Sequence, residues 1–472
     1  MTNSTTEEKT EKINEDIKAL TFTLVFEGDA LNRDEKIGGN IASIKKLNRY
    51  GFDGQQRTHS FISRESIRHH LFHTLCQNPD TKWTPSEVTP QNKVVQFDLM
   101  KSNILNSPEL DAFGYMYTQG GSNAITRKAP VTLTKAVALE PWEGDMQFNA
   151  NHDMARRAGS SPNPTNKEEN QSMYKFSLTI DLDRFGKDEW LINDCEENKE
   201  EKKLLIHFNE KGTEKTIADV EEKQNDDGVK YYEVNGCKIE IEDSFMIIEE
   251  KKSFAEEKTD KKKGITELKI TWGKGKNNSL TINEGDYERI GIDEDDGTSY
   301  KFSISSAEYK DKKLIISRAI TAEITDVLKE EKEENKYIVG DKQKSCITIT
   351  SKGKKEVAAF TLGEAAKIKR IKDIISTLKN GIFFSPSGEN PGIVPKFIIG
   401  AALKIPIPIF HSYVDLGGFN DAILDNGYIV GKVFCRNDMK NAAFDVKEPG
   451  NWVNFLNLIF NKDGGNDSNS QS

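Results

Sequence analysis

Between Gly51 and Cys76 the chain reads GFDGQQRTHSFISRESIRHHLFHTLC, setting Arg57, Arg64 and Arg68 among His59, His69, His70 and His73, four of its seven histidines. Three chemistries use such residues. A guanidinium can fork two donors onto one phosphate. Two histidines four apart on a helix, as His69 and His73 are, can chelate a metal, but no HExxH accompanies them and the neighbouring arginines repel a cation. A histidine pair can also cleave RNA as general acid and base, yet nothing singles out two of these four. Asp29 or Asp53 would be the candidates for a Mg²⁺-dependent cleavage, although an isolated loop aspartate is more commonly a turn residue. Phosphate contact is the favoured chemistry, and no catalytic residue, metal or cofactor is expected.

The elements that must position these side chains follow from periodicity. Leu20–Phe26 alternates as a strand ending at Gly28, and the first helix is predicted from Ser63, its N-cap, to Leu75. Ile67, Leu71 and Leu75 make its buried stripe, which leaves Arg64 and Arg68 as an exposed cationic row one turn apart. Val131–Ala138 reads as one strand, Asn149–Gln171 as an exposed loop, and Tyr174–Leu182 as the clearest strand, with Tyr174, Phe176, Leu178, Ile180 and Leu182 on one face. Thr361-Leu-Gly-Glu364 has the form of a capping box. It opens a helix closed by Gly381, whose outer side would carry Lys367, Lys369, Arg370 and Lys372. Strands at Phe397–Leu403 and Tyr428–Phe434 and a helix at Trp452–Phe460 complete the pattern.

Composition divides the chain. Residues 195–356 hold 38 acidic and 31 basic side chains, so they carry most of the formal charge of −10. Asn32–Cys76, by contrast, holds eight Lys or Arg against four Asp or Glu. The acidic whole therefore does not exclude a nucleic-acid partner, because the local field decides. Five scattered cysteines without a CxxC argue against a zinc ribbon or a disulfide framework and suit a reducing cytoplasm. The start of the chain lacks a signal-peptide pattern. The most apolar stretch, Phe397–Phe410, is broken by Lys404, Pro406 and Pro408, so no membrane partner is expected.

The expected domain plan has polar tails at 1–17 and 462–472. An α+β body is built from 18–194 and 357–461, and 195–356 is an acidic β-rich insertion. Stripped of insertions, the order is strand, helix, two strands, helix, strand, the split βαβ order of ferredoxin-like and RNA-recognition folds.

Five local patterns add specificity: Leu31-Asn-Arg-Asp34, the run from Arg57 through Ser66-Ile-Arg68, Leu110-Asp-Ala-Phe-Gly-Tyr115, Arg127-Lys-Ala-Pro-Val131 and Asp181-Leu-Asp-Arg-Phe-Gly186. With the late Lys-Ile-Lys-Arg-Ile-Lys helix, the series resembles the DevR-type CRISPR autoregulator family of the RAMP superfamily, over roughly 20–190 and 357–460. The resemblance implies an RRM-like palm with irregular finger and thumb insertions. It also implies a non-catalytic, cytoplasmic backbone subunit of a type I-B Cascade complex. Such a subunit holds guide (crRNA) phosphates, stacks on other copies of itself beside other Cascade subunits, and presents guide segments to target DNA. It implies RNA contact by Asn32, Arg33, Arg57, Arg64, Ser66 and Arg68.

Lys45, Lys46 and Arg49 share that basic neighbourhood. Arg127 and Lys128 would hold a guide or target backbone, Arg156 and Arg157 would lie on a finger or thumb, and Lys367 and Arg370 would add a basic helix face. Two departures from the family pattern are the acidic segment 195–356 and the loop Ser385–Asn390, where relatives often carry Gly-Ala-Arg. The rival readings are an RNA endonuclease on the same fold and a regulatory interaction protein.

Overall fold

A computed structural model describes residues 11–29, 41–51, 53–89, 95–118, 124–208, 215–225, 229–242, 245–249, 254–260, 265–272, 279–283, 287–290, 299–304, 306–317, 321–330, 333, 335–340, 345–353, 355–384 and 392–462. Asn32, Arg33 and the loop Ser385–Asn390 lie outside the described residues.

Strand β1 is Ala19–Asp29; β2 (Lys46–Tyr50) and β3 (Gln56–Ile62) form a hairpin that runs into helix α1, Arg64–Gln77. A short helix α2 (Pro108–Phe113) precedes β4 (Val131–Leu133) and β5 (Ala136–Ala138). Next come β6 (Asp145–Ala150), α3 (His152–Arg157), β7 (Pro164–Glu169), the long β8 (Gln171–Asp181) and β9 (Lys187–Ile192). After the acidic segment follow β10 (Lys355–Thr361), α4 (Glu364–Asn380), β11 (Pro395–Leu403), β12 (Ile429–Asn437) and α5 (Trp452–Ile459). The molecule is a mixed, strand-rich α+β protein.

An eight-stranded antiparallel sheet runs in the order β12-β11-β1-β8-β5-β3-β2, with β4 also paired to β8. Alternation along β1 and β8 sends Leu20, Phe22, Leu24 and Phe26, with Tyr174, Phe176, Leu178 and Ile180, to one face. There they meet Ile67, Leu71 and Leu75 of α1 and Ile368, Ile371, Ile374, Ile375 and Leu378 of α4. Each such side chain contributes about 1.5–3 kcal/mol by leaving water, so this face is where the two helices are held.

The opposite face is polar in its middle, and it too is buried: Thr21, Thr23, Lys175, Ser177 and Thr179 all point into it. Part of the 404–450 segment packs on that side, adding Ile409, Phe410, Val414, Phe419 and Phe444 to Val25, Phe397, Ile399 and Leu403. Lys175 Nζ donates to the carbonyls of His411 (2.7 Å) and Val414 (2.5 Å). His411 Nδ1 lies 2.9 Å from Ser177 Oγ, which in turn lies 2.7 Å from Thr23 Oγ1. Hydrogen bonding removes the penalty these groups would otherwise incur on burial.

The apolar residues of the acidic segment divide between two cores. Leu204, Ile206, Ala322, Ile324, Ile347 and Ile349 pack with Leu99, Ile104, Leu110 and Trp190. A separate core gathers residues from Ile217 to Ile316. His207 and Thr321 are direct ladder partners, so chain 208–320 leaves and returns through adjacent positions.

Four local expectations are corrected. Val131–Ala138 breaks into β4 and β5 at Thr134, whose Oγ1 accepts the Ser177 amide (2.9 Å). Asn149–Gln171 is no open loop but mostly a hairpin, β6 against β7, tipped by α3. The capping box does not form, because Thr361 is held in the β10–β9 ladder opposite Lys187 and Glu364 Oε1 accepts the Ile13 amide (3.1 Å) instead. Residues 11–17 are not a loose tail: Glu11–Ile13 pairs with Phe460–Lys462, and Ile17 joins the main core.

Candidate nucleic-acid interface

Helix α1 forms as its sequence dictates. Ser63 Oγ accepts the Ser66 amide at 3.3 Å, Glu65 sits in the first turn, and Ile67, Leu71 and Leu75 are buried. Arg64 stays in water, its side chain 69% exposed, with Nε 2.5 Å from Glu65 Oε1. That contact raises the Arg64 pKa and lowers that of Glu65. Arg68 is exposed one turn on, its guanidinium carbon 5.9 Å from the centre of the Phe113 ring. Ser66 is half-buried and is used through its backbone.

The β2–β3 hairpin supplies a second cationic group. Arg49 and Arg57 are direct cross-strand partners at the outer edge of the sheet. Strand alternation puts both on the face opposite the helices, since Ile62 of β3 faces the helix-side core. Arg57 forks onto Asp53, Nη1 reaching Oδ1 at 3.1 Å and Nη2 pairing with Oδ2. This holds the Asp53 carboxyl below the usual carboxylate range and commits it to a turn. Arg49 is exposed, and its charge reaches inward: after burial, it is the next cause that lowers Lys175, to about 8. His411 falls to about 4 through burial, then Lys175, then Arg49.

The remaining basic residues divide between scaffold and surface. Lys46 Nζ lies 2.9 Å from both carboxylate oxygens of Glu168 and 4.3 Å from the Trp142 ring centre, tying the β6–β7 hairpin to β2. The Lys45 carbonyl accepts the Phe61 amide (2.9 Å). At the hairpin tip, Arg156 and Arg157 remain exposed and share Asp153 at 3.1 and 3.0 Å. Lys128 is exposed.

Arg127, Arg370 and Lys367 are corrections. The Arg127 side chain is 3% exposed and all of its donors are engaged. Nη2 meets Asp111 Oδ1 (2.9 Å) and the Arg184 carbonyl (3.2 Å), Nη1 the Leu110 (3.1 Å) and Asp111 carbonyls, and Nε the Lys187 carbonyl (3.2 Å). Arg370 is 11% exposed and bonds Asp111 Oδ2 (2.8 Å) and the carbonyls of Ile104 (2.7 Å) and Leu105 (2.9 Å). Burial lowers its pKa despite the carboxylate. Lys367 Nζ caps the Leu182 carbonyl at 2.7 Å, and burial lowers its pKa as well. Arg127 thus has no donor left for a phosphate, and burial closes Arg370 and Lys367 off from one.

Asp111 is the residue the sequence reading passed over. Fully buried, it takes Arg127 and the Gly186 amide (2.8 Å) on Oδ1 and Arg370 on Oδ2. Three of the quoted patterns and the α4 basic run thus meet at one carboxylate. A charged residue between Leu110 and Ala112-Phe113 was the available signal, because a buried carboxylate requires a partner. Beside it, Tyr115 Oη donates to Asp188 Oδ2 (2.6 Å) and accepts from Trp190 Nε1 (2.6 Å). Burial raises Asp188 to about 6.

Residues 20–424 match the family described as CRISPR-associated negative auto-regulator DevR/Csa2. The chain belongs to that family. A curated relative, the CRISPR-associated protein Cas7/Cst2/DevR of Myxococcus xanthus, is 29% identical over 167 residues, which is 32% of this chain. The alignment spans about half of that relative, 54% of its length. Among solved structures, a chain of a CRISPR RNA-guided surveillance complex in a pre-nicking state is similar at TM-score 0.25 and 10% identity, over 35% of this chain and 65% of that one. A chain of a type IV-B CRISPR complex is similar at TM-score 0.21 and 10% identity, over 34% and 71%. The DevR/Csa2 match takes in the whole Asp111 cluster and both exposed arginine groups. Among the described residues, no three His, Cys, Asp or Glu side chains gather into a metal site, and no helix is long and apolar enough to cross a membrane.

Proposed function

We propose that this chain binds a guide RNA through its phosphates as the non-catalytic backbone subunit of a type I-B CRISPR interference complex. Copies stack head to tail and present guide segments to target DNA. The observation that carries the reading is the placement of Arg49 directly across the edge ladder from Arg57. Like charges set opposite one another on a sheet repel; Asp53 offsets part of that repulsion through its fork with Arg57, and a phosphate beside the exposed Arg49 would offset the rest. Arg64 and Arg68 on α1 are a second exposed cationic group, and contact to phosphates rather than base edges suits a subunit whose copies each meet a different guide segment.

The strand order β11-β1-β8-β5, with α1 and α4 packed on one face, supports an RRM-like palm. On this reading the β6–β7 hairpin is a finger carrying Arg156 and Arg157, the exposed Lys128 is a further contact, and Asn32 and Arg33 contribute from the chain between β1 and β2. The stretch 208–320, with its own core, is an accessory module.

Purified protein should retain RNA of uniform length and form a helical stack visible by electron microscopy. Absence of both would sink the proposal. A regulatory role is the second reading, favoured by the family's description as a negative auto-regulator. Recovery of a monomer bound to promoter DNA and free of RNA would select it. Cleavage of labelled RNA in Mg²⁺ by the intact protein would instead select a nuclease.

A further inference from the structure

Three aromatic rings stand in a row on the solvent side of α1, outside both arginine groups. His69 and His73, one turn apart, have centroids 6.1 Å apart and planes within 18°. Phe383, from the chain leaving α4, continues the row at 6.2 Å and 29° from His73. All three are exposed, which is a costly place for a phenylalanine to be held.

Phe383 is nevertheless held. Its amide donates to Thr74 Oγ1 (2.9 Å), which itself donates to the His70 carbonyl (2.7 Å). The next residue, Phe384, is buried and lies 3.9 Å from the His70 ring, so it anchors the segment from below. A buried neighbour and a backbone hydrogen bond thus fix an exposed ring roughly parallel to two others.

We infer that His69, His73 and Phe383 form a stacking platform for an unpaired nucleobase of a bound single strand. The occupant follows from shape and charge together. A stack of exposed rings leaves an outer ring face on which a base can continue the stack, and such stacking is tolerant of sequence. The same helix carries Arg64 and Arg68, with Glu65 as its one acidic residue, so a polyanion is drawn to this face. An apolar peptide would gain less from a helix that also carries two exposed guanidinium groups. The inference rests on the reading that the chain binds single-stranded RNA, and it adds a contact to a base face where that reading uses phosphates alone.

The test uses the full chain and two fluorescently labelled probes, a single-stranded oligoribonucleotide and an abasic oligomer with the same backbone. The double variant Phe383→Ala/His73→Ala should weaken binding of the base-containing probe by about tenfold and leave the abasic probe unchanged. A 2-aminopurine probe should be quenched by the wild type but not by the double variant. Phe383→Trp, which keeps the ring, should restore both affinity and quenching, which separates stacking from any folding defect. If the double variant binds both probes as the wild type does, the platform is wrong while phosphate binding stands. If the wild type binds neither probe, the RNA-binding reading and the platform fall together.

Discussion

Arg64 and Arg127 look alike in sequence, each a basic residue near the start of an element, yet the fold treats them oppositely. Arg64 and Arg68 sit on a helix face turned to water, while Arg127 and Arg370 are buried around Asp111. A guanidinium can serve a phosphate only if part of it still faces water. Asp111 is such an anion, buried, accepting from both arginines and from the Gly186 amide. The exposed group has only partial local partners in Glu65 and Asp53. The difference between an exposed cation and a scaffold cation therefore lies in which carboxylates the fold brings near, not in the basic residues themselves.

The sharpest way to break this comparison is Asp111→Asn. It leaves two buried guanidinium groups without their carboxylate and should cost about 3–5 kcal/mol in chemical denaturation, with RNA affinity per folded molecule unchanged. Loss of affinity without loss of stability would reverse the roles assigned to the two regions.

Arg64→Glu/Arg68→Glu should do the opposite. RNA affinity should drop about tenfold or more, and the salt dependence of binding should lose about 0.7 in slope per phosphate contact removed, with little change in unfolding. An unchanged salt slope would take α1 out of the interface.

A third test concerns Asp188, beside the buried cluster. Its folded pKa, raised to about 6, lies above the ordinary value of 3.8, so the folded state binds more protons between those limits. Its contribution to stability should therefore improve as pH falls from 6 toward 4 and worsen as pH rises through that window. Asp188→Asn should remove this component, so that the stability difference between variant and wild type shrinks on acidification from pH 7 to 4. A difference independent of pH would mean that Asp188 is not held as described.

The smallest effect is expected at the sheet edge. Arg49→Glu, facing Arg57, should stabilise the free protein by about 0.2–1 kcal/mol while weakening RNA binding. A destabilised variant would show that the two arginines are not in conflict in the free protein.

Much of the fold was readable because burial along one element repeats with that element's own period. The Ser63 cap, the Ile67–Leu71–Leu75 stripe, the alternation of Tyr174–Ile180 and the Gly381 stop, with its positive φ of 124°, all needed only local information. The basic run on α4 was misread for the same reason. Helical spacing separates a core stripe from an outer face, but it cannot show that another segment covers that face. The chain at Ile104, Leu105 and Asp111 does so, and it takes Arg370 with it. The acidic segment was likewise visible as strand-rich, whereas its division between two cores depends on pairings such as His207 with Thr321.

What the sequence by itself determined is the set of elements, their order, and a cationic helix exposed on one side, because each follows from neighbours within a turn or a strand. What only the tertiary structure decided is which cations remain available. Arg370 meets Asp111 across 259 residues of chain, and an ion pair closed over that distance has no local periodicity to announce it. Water is excluded there by packing from several segments at once, and that exclusion makes one arginine scaffold and leaves another facing solvent.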